Sequence, residues 1–293
     1  MKILIQDYTS IYSTEPMYLN ASLSYAKCFT PFLWNTKSIS TFDAIDKSSP
    51  DLIICNYETS ALSDIIKYLS QKKIDIVMNI TGINQNKLDL LETILDSKGV
   101  KCKGFISNTH ALVETIKPKK TPLINLLPAA DLFLGQNKQV PEFKLQAGFV
   151  TTGNKSLVES KIKKYKTYHK IQLGNKNDQF YDINTDINGL SQLYDRYQEF
   201  IILDSAKMIF SQLFFDATLK SNKTTLVSDD KDTVDRILGS LFEIDENAKD
   251  IGLVVKNQVK KSHNCIIRTS ELMQKLGHTN GAKLLKEAVG KLL

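Results

Sequence analysis

Polar side chains in the run from Phe200 to Asp230 are placed where a ligand-binding edge is expected. The apolar residues 200–203 and 224–227 suit two buried parallel strands, and residues 208–220 between them suit an amphipathic helix. Open α/β sheets bind ligands where strands end and helices begin. The run therefore predicts an edge that offers hydroxyl, amide and carboxylate groups to a ligand: Asp204, Ser205, Ser211, Gln212 and Asp216.

A second group of polar residues, TTGNKS at 151–156, follows an apolar strand and opens a helix. Backbone amides at a helix N-terminus bind phosphate groups, and the helix dipole favours the negative charge. Gly153 permits close approach of the backbone, and Lys155 adds a positive charge beside Asn154. Gly153, Asn154 and Lys155 are therefore candidate phosphate-binding residues, and an ordinary strand–turn–helix junction is the alternative.

Two carboxylates lie in the polar loop that follows the first predicted strand, QDYTSIYSTEP at 6–16. A carboxylate that is partly desolvated in a cleft can accept a proton near neutral pH. Asp7 and Glu15 are therefore candidate general bases, although Glu15 would serve equally as a stabilising charge at a helix N-terminus. Further polar groups expected at the same edge are Asn56, Glu58, Asn79, Thr81, Gly82, Asn108 and His110.

The elements that position these groups alternate between strand-like and helix-like segments along all 293 residues. Such alternation predicts parallel sheets wrapped by helices. The pattern breaks at 122–141, which has three prolines and no helical period, and this stretch is the predicted interdomain passage. We expect an α/β fold with two Rossmann-like domains in series, a cleft between them and a C-terminal helix that packs back. The predicted limits are 1–135, 142–281 and 282–293.

Within the second series, the patterns predict strands at 144–151, 168–173 and 241–244, and one long helix from about 248 to 276. On one helix, His263 and Arg268 would lie about 140° apart, so only one of them would face a given site. The four histidines have no HxxxH spacing and no carboxylates cluster, so no metal site is predicted.

Composition sets limits on partners. Lysine and arginine total 38 against 32 acidic residues, which gives a net charge of +6 and permits polyanion binding through the lysine runs at 117–120, 161–166 and 255–261. Solvated surface is the alternative for these runs. The four scattered cysteines predict buried free thiols. No apolar run is long enough to cross a membrane, and the N-terminus resembles a strand rather than a signal peptide, so a cytoplasmic protein is expected.

Three segments carry a resemblance to GT-B glycosyltransferases, and more narrowly to the CgeB-like and phage-encoded members. FSQLFFDATLKSNKTTLVSDD (210–230) resembles the nucleotide-sugar segment, with Asp216 where many relatives carry Glu. VKKSHNCIIRTSELMQKLG (259–277) resembles the closing helix, with His263 and Arg268 at recurring positions. INLLPAADLF (124–133) resembles the passage between the two domains.

The resemblance implies a metal-independent enzyme with a nucleotide diphosphate sugar as co-substrate and no separate cofactor. Asp216 would bind the ribose, and Ser211, Gln212 and His263 would complete the donor site with the 153–155 group. The leading acceptor is a hydroxymethylated pyrimidine in double-stranded DNA, and a surface glycan or small molecule is the alternative. A noncatalytic sensor and an epimerase of the same build stay open, as do the stereochemistry and the oligomeric state.

Overall fold

The structure is a computed structural model, and it divides into two compact units. It describes the following residues: 3–6, 32–34, 41–57, 62–80, 83–107, 116–126, 129–130, 132, 145–151, 155–173, 178–185, 190, 193–203, 212–221, 223–227, 232, 235–236, 238–239, 242 and 251–292.

The strands and helices of the described residues alternate along the chain. The strands are β1 (Ile3–Gln6), β2 (Phe32–Trp34), β3 (Leu52–Asn56), β4 (Asp75–Asn79), β5 (Cys102–Ser107), β6 (Leu123–Asn125), β7 (Leu145–Thr151), β8 (Tyr168–Leu173), β9 (Ile183–Thr185), β10 (Tyr197–Leu203) and β11 (Thr224–Val227). The helices are α1 (Thr41–Ser48), α2 (Leu62–Lys72), α3 (Gln85–Ser97), α4 (Lys155–Ile162), α5 (Gln212–Lys220), α6 (Ile251–Ser262), α7 (Cys265–Lys275) and α8 (Thr279–Leu292).

The first unit holds a six-stranded parallel sheet in the order β2-β1-β3-β4-β5-β6. Each of its central strands contributes side chains to two apolar cores, one on each face of the sheet, because successive side chains of a strand point to opposite faces. On one face Ile53, Met78 and Phe105 pack with α1, α2 and α3. On the other face, Ile54 and Val77 pack with α7 and α8.

The second unit holds a five-stranded parallel sheet in the order β11-β10-β7-β8-β9. One face of this sheet packs against α4 through Phe149, Ile201 and Val158. The C-terminal parts of β7 and β10, Ala147–Thr151 and Phe200–Leu203, are buried, as expected for central strands of a parallel sheet. The α/β class with two Rossmann-like parallel sheets in series is confirmed, and so is a C-terminal helix that packs against the first sheet.

The division into units differs from the predicted limits at the C-terminus. Ile266–Leu292 belong to the first unit, and the second unit comprises Pro128–Cys265. Leu272 and Met273 of α7 are buried against the first sheet beside Ala282 of α8. The chain therefore returns to the first unit already with α7, whereas the predicted limits begin the returning helix at residue 282.

The predicted long helix at 248–276 was wrong in one respect, since the structure breaks it between α6 and α7. The backbone of Ala130 donates to the carbonyl of His263 at 2.8 Å and accepts from the amide of Cys265 at 2.8 Å. The carbonyl and amide at the break are thereby satisfied without helical bonds. His263 and Arg268 consequently do not share a helix, and the angle of 140° does not apply.

Three short elements were not predicted: α1, β6 and β9. The strand predicted at 241–244 lies mostly outside the described residues, and Phe242, which is described, is not in a strand. Among the described helices, none is long and apolar enough to span a membrane.

Candidate functional site

The sheet of the second unit has a topological switch point between β7 and β10. After β7 the chain adds β8 and β9 on one side, and then crosses to add β10 and β11 on the other. At such a point the connections from the two central strands diverge to opposite faces and leave a crevice at the carboxyl ends. Thr151 ends β7 and Leu203 ends β10 at this edge. The two predicted ligand-binding loops, 151–156 and 204–212, therefore follow neighbouring strands.

The N-terminus of α4 lies at this switch point. Lys155 is the first residue of α4, and three residues separate it from the end of β7. On the same face of the sheet, Thr151 is in register with Gln172 of β8. Gln172 is 4% exposed, and its Oε1 atom has no hydrogen-bond partner among the described residues. A buried amide oxygen that lacks a donor is costly, and the position beside a helix N-terminus indicates that a ligand or water supplies one.

The ammonium group of Lys155 is held by the carboxylate of Asp178. Lys155 Nζ lies 2.7 Å from Asp178 Oδ2, and the backbone amide of Phe180 donates to Asp178 Oδ1 at 3.0 Å. The Lys155 side chain also passes over the ring of Phe180. The hydrogen bond from Lys155, together with the amide of Phe180, lowers the pKa of Asp178. A fixed cation and a fixed anion thus lie together at the first turn of α4.

Asp216 lies in the second turn of α5 and is 1% exposed. A 3₁₀ turn at Tyr194–Arg196 packs against α5. Burial, together with the charge of Asp216, raises the pKa of Tyr194. Asp216 is therefore an interior carboxylate of the second unit in this structure, close enough to Tyr194 to influence its ionisation. The predicted ribose contact of Asp216 stays a prediction.

The imidazole of His263 belongs to an aromatic cluster of the second unit. It stacks on Phe215 with ring centroids 5.7 Å apart and meets Phe242 edge-on at 5.1 Å. Arg268 lies on α7 in the first unit, is 6% exposed, and donates to both carboxylate oxygens of Glu271 at 2.9 Å. His263 thus packs against aromatic rings, and Arg268 forms an ion pair. Donor binding by His263 stays a prediction.

The roles of the other predicted site residues are not tested by the structure. Asp7, Glu15, Gly153, Asn154 and Ser211 lie outside the described residues. Gln212 is described as the first residue of α5, downstream of β10 at the same edge of the sheet. Their roles as bases and donor ligands remain predictions.

The carboxyl edge of the first sheet carries a row of uncharged polar residues. Asn56, Asn79, Ser107 and Asn125 end four successive strands, β3 to β6. Asn56 is in register with Asn79, and Ser107 with Asn125. The Oδ1 atom of Asn125 is buried and accepts no hydrogen bond from the part of the chain that the structure describes. This edge offers neutral donors and acceptors, which suit hydroxyl groups better than phosphates.

Two of the three lysines in the run at 117–120 form ion pairs within the first unit. Lys119 pairs with Asp89 at 2.8 Å and Lys120 with Asp96 at 2.6 Å, both on α3. The buried carboxylate of Glu92 accepts the backbone amides of residues 119, 120 and 121, so the whole segment is fastened to α3. In the lysine run at 161–166, three exposed lysines form no ion pair with the described part of the chain: Lys161, Lys163 and Lys166.

Cys55, Cys102 and Cys265 are not joined in disulfides, as predicted, and Cys28 lies outside the described residues. Burial raises the pKa of the Cys102 thiol to about 12, so this thiol stays protonated at neutral pH. Among the described side chains, no group of three or more His, Cys, Asp or Glu residues is arranged to hold a metal ion.

No protein-family model matches the chain, and no curated protein sequence matches it. Several solved structures are distantly similar. Spinosyn forosaminyltransferase SpnP aligns with 10% identity and a TM-score of 0.42 over 99% of this chain and 95% of its own. UDP-GlcNAc 2-epimerase from Neisseria meningitidis, bound to UDP-GlcNAc, aligns with 10% identity and a TM-score of 0.43 over 99% and 100%. The S. aureus MnaA structure with UDP aligns with 12% identity and a TM-score of 0.43 over 97% and 94%.

Gln172 and Asp178 were not among the residues singled out from the sequence. Gln172 is a single polar residue flanked by Ile171 and Leu173, and such an isolated residue is a weak signal. Asp178 lies in a polar stretch, GNKNDQ, that is typical of any loop. Only the register of β8 with β7 and the contact with Lys155 bring them beside the predicted phosphate-binding residues.

Proposed function

We propose that this protein is a GT-B-type glycosyltransferase that moves a sugar from a nucleotide diphosphate sugar to a hydroxyl acceptor. The observation that carries this proposal is the N-terminus of α4 at the switch point of the second sheet. This is the place in an open parallel sheet where a phosphate group finds backbone donors and a favourable dipole. The unpartnered Oε1 of Gln172 at the same edge supports a ligand there.

The diphosphate is the part of the donor whose negative charge most needs stabilisation by the protein. When the bond between the anomeric carbon and the diphosphate breaks, negative charge develops on the leaving oxygen. The amides that open α4 and the ammonium of Lys155 would stabilise this charge. We propose that no metal takes part, since the helix terminus supplies positive potential and Lys155, which is paired with Asp178, adds a hydrogen-bond donor.

The acceptor hydroxyl attacks the anomeric carbon and gives up its proton to a base. We assign this role to Asp7 or Glu15, in the loop that follows β1, the strand beside the switch point of the first sheet. The first sheet has its own switch point between β1 and β3, so its carboxyl edge is a second ligand-binding position.

For the acceptor, two classes compete. Hydroxymethylated pyrimidine in DNA is supported by the net charge of +6 and by the exposed lysines at 161, 163 and 166. A glycan or small molecule is supported by the neutral residues at the edge of the first sheet and by the pairing of Lys119 and Lys120 with α3. A nucleotide-sugar sensor without turnover is the noncatalytic alternative.

The proposal is tested by incubating the protein with a panel of nucleotide sugars, with and without hydroxymethylcytosine DNA, and weighing the products by mass spectrometry. A hexose or pentose mass added to the DNA establishes donor, acceptor and reaction together. Transfer only to a panel of glycans or small alcohols establishes the other acceptor class. Release of free nucleotide or conversion of the sugar without an acceptor indicates an epimerase, and bound donor without turnover indicates a sensor.

A further inference from the structure

We infer that Asp178 binds the ribose hydroxyls of the nucleotide, so that the site selects ribonucleotides over 2′-deoxyribonucleotides. This inference rests on the proposed function, since it concerns the donor nucleotide of the same site. It goes beyond the resemblance to known glycosyltransferases, which assigns the ribose to Asp216.

The position of Asp178 matches the order of groups in a nucleotide. Ribose and diphosphate are joined directly, so a residue that binds the ribose must lie beside the residues that bind the phosphates. Asp178 follows β8, the neighbour of the central strand β7, and its Oδ2 atom is 2.7 Å from Nζ of Lys155, the first residue of α4. It therefore borders the predicted phosphate position directly.

The carboxylate of Asp178 is oriented and still open to a ligand. Oδ1 accepts the amide of Phe180 at 3.0 Å and Oδ2 accepts the ammonium of Lys155, which holds both oxygens in fixed directions. Each carboxylate oxygen has a second lone pair to offer. The side chain of Asp178 is 30% exposed. Two vicinal hydroxyl groups that donate to one carboxylate would find both acceptors already aligned.

Asp216 is in a different environment. At 1% exposure it lies within the packing of α5, where the neighbouring residues Phe214, Phe215 and Ala217 are buried too. At this exposure the carboxylate offers almost no surface to a ribose. A buried carboxylate of this kind contributes to the interior of the second unit, whereas Asp178 is available without rearrangement.

The test compares nucleotide affinities by calorimetry. UDP, GDP, ADP and CDP are each titrated beside their 2′-deoxy counterparts, and the tightest pair is then measured in variants. The wild-type protein should bind the ribonucleotide about 10-fold or more tightly than the deoxynucleotide, as expected for a hydrogen bond to a charged group. In Asp178→Asn this ratio should fall towards one, and pyrophosphate affinity should not fall, because pyrophosphate has no ribose.

Three variants serve as controls. Asp178→Ser removes the charge but keeps an oxygen for the amide of Phe180, so it separates loss of the ribose contact from local unfolding. Glu159→Gln removes an exposed carboxylate from α4, the helix that Lys155 opens, and should leave all affinities unchanged. Asp216→Asn should keep the preference for the ribonucleotide.

Each remaining result overturns the inference. A ratio that persists in Asp178→Asn and Asp178→Ser removes Asp178 from the ribose site, and a ratio that instead collapses in Asp216→Asn moves the ribose to Asp216; both leave the proposed function standing. If the wild-type protein binds the ribonucleotide and the deoxynucleotide with equal affinity, no residue forms a hydrogen bond with the 2′-hydroxyl that contributes to binding. A wild-type protein that binds no nucleoside diphosphate overturns the inference and the proposed function together.

Discussion

Replacing Glu92 by Gln should destabilise the first unit strongly. Glu92 is 6% exposed, and its carboxylate accepts three backbone amides: Lys119 on Oε2 at 2.8 Å, and Lys120 and Thr121 on Oε1 at 3.0 and 2.9 Å. Glutamine has nearly the same shape but presents one NH₂ group. Whichever way the amide turns, at least one backbone amide then faces a donor instead of an acceptor.

The magnitude follows from these three bonds. A buried donor left without a partner costs about 1–3 kcal/mol, and losing the charge on the other two bonds costs about 1 kcal/mol each. The expected loss in the free energy of unfolding is therefore about 3–5 kcal/mol. For a domain of this size each kcal/mol lowers the unfolding midpoint by about 2–4 °C, so a decrease of about 6–20 °C is expected.

The assay is thermal unfolding followed by circular dichroism, with Asp96→Asn as the matched control. Asp96 also contacts this segment, but its ion pair with Lys120 is exposed and should contribute little. An Asp96→Asn midpoint that falls as far as that of Glu92→Gln, or a Glu92→Gln midpoint within about 1 °C of the wild type, would refute the role given to the three amides.

The same carboxylate predicts a pH dependence. Burial raises the pKa of Glu92, but the amides of Lys119, Thr121 and Lys120 together outweigh burial and hold the pKa below its ordinary value of 4.5. A depressed pKa in the folded state stabilises the protein above the unfolded value and loses that contribution as the pH falls through the folded value. The difference in stability between wild type and Glu92→Gln should therefore be constant above about pH 5 and shrink below 4.5.

Three further predictions concern packing and charge. Gly148→Ala should destabilise the second unit by about 1–3 kcal/mol in urea unfolding, because an added Cβ would meet the ring of Tyr197 at 2.6 Å; an unchanged midpoint would contradict that packing. Gly290→Ala in α8, where no atom lies within 4 Å of an added Cβ, should raise stability by about 0.5 kcal/mol, and a loss would contradict the open surroundings. If DNA binds, Lys163→Glu with Lys166→Glu should weaken binding and flatten its salt dependence more than Lys119→Glu with Lys120→Glu, and equal effects would contradict the neutralisation by α3.

Local sequence predicted the strands well where an apolar run is bounded by polar residues. β8 and β11 begin and end at the predicted residues. β6 was missed because only three residues of the proline-rich passage pair with β5. A strand of that length has no periodicity of its own to recognise.

The break between α6 and α7 could not be predicted from nearby residues. The segment VKKSHNCIIR contains neither glycine nor proline. The helix ends there because Ala130, distant in sequence, forms hydrogen bonds with His263 and Cys265. A tertiary contact that replaces helical hydrogen bonds has no signal in the helix sequence itself.

In the candidate site, too, local sequence predicted some residues, and tertiary contacts determined the others. The glycine and lysine of 151–156 were recognisable because a strand, a turn and a helix N-terminus follow one another along the chain. Gln172 and Asp178 reach that site only through strand pairing and an ion pair across the fold. The burial of Asp216 was likewise invisible, since the pattern placed it on α5 but did not determine how deeply α5 packs.

The most direct test of the account is a calorimetric titration of nucleotide diphosphate sugars into the wild-type protein, Lys155→Ala and Lys163→Ala. Lys155 opens α4 at the switch point, whereas Lys163 follows the other end of the same helix. We predict that the wild type binds at least one nucleotide sugar, that Lys155→Ala weakens this binding about 10-fold or more, and that Lys163→Ala does not. No binding by the wild type, or equal affinities in all three proteins, would contradict a diphosphate site at the N-terminus of α4.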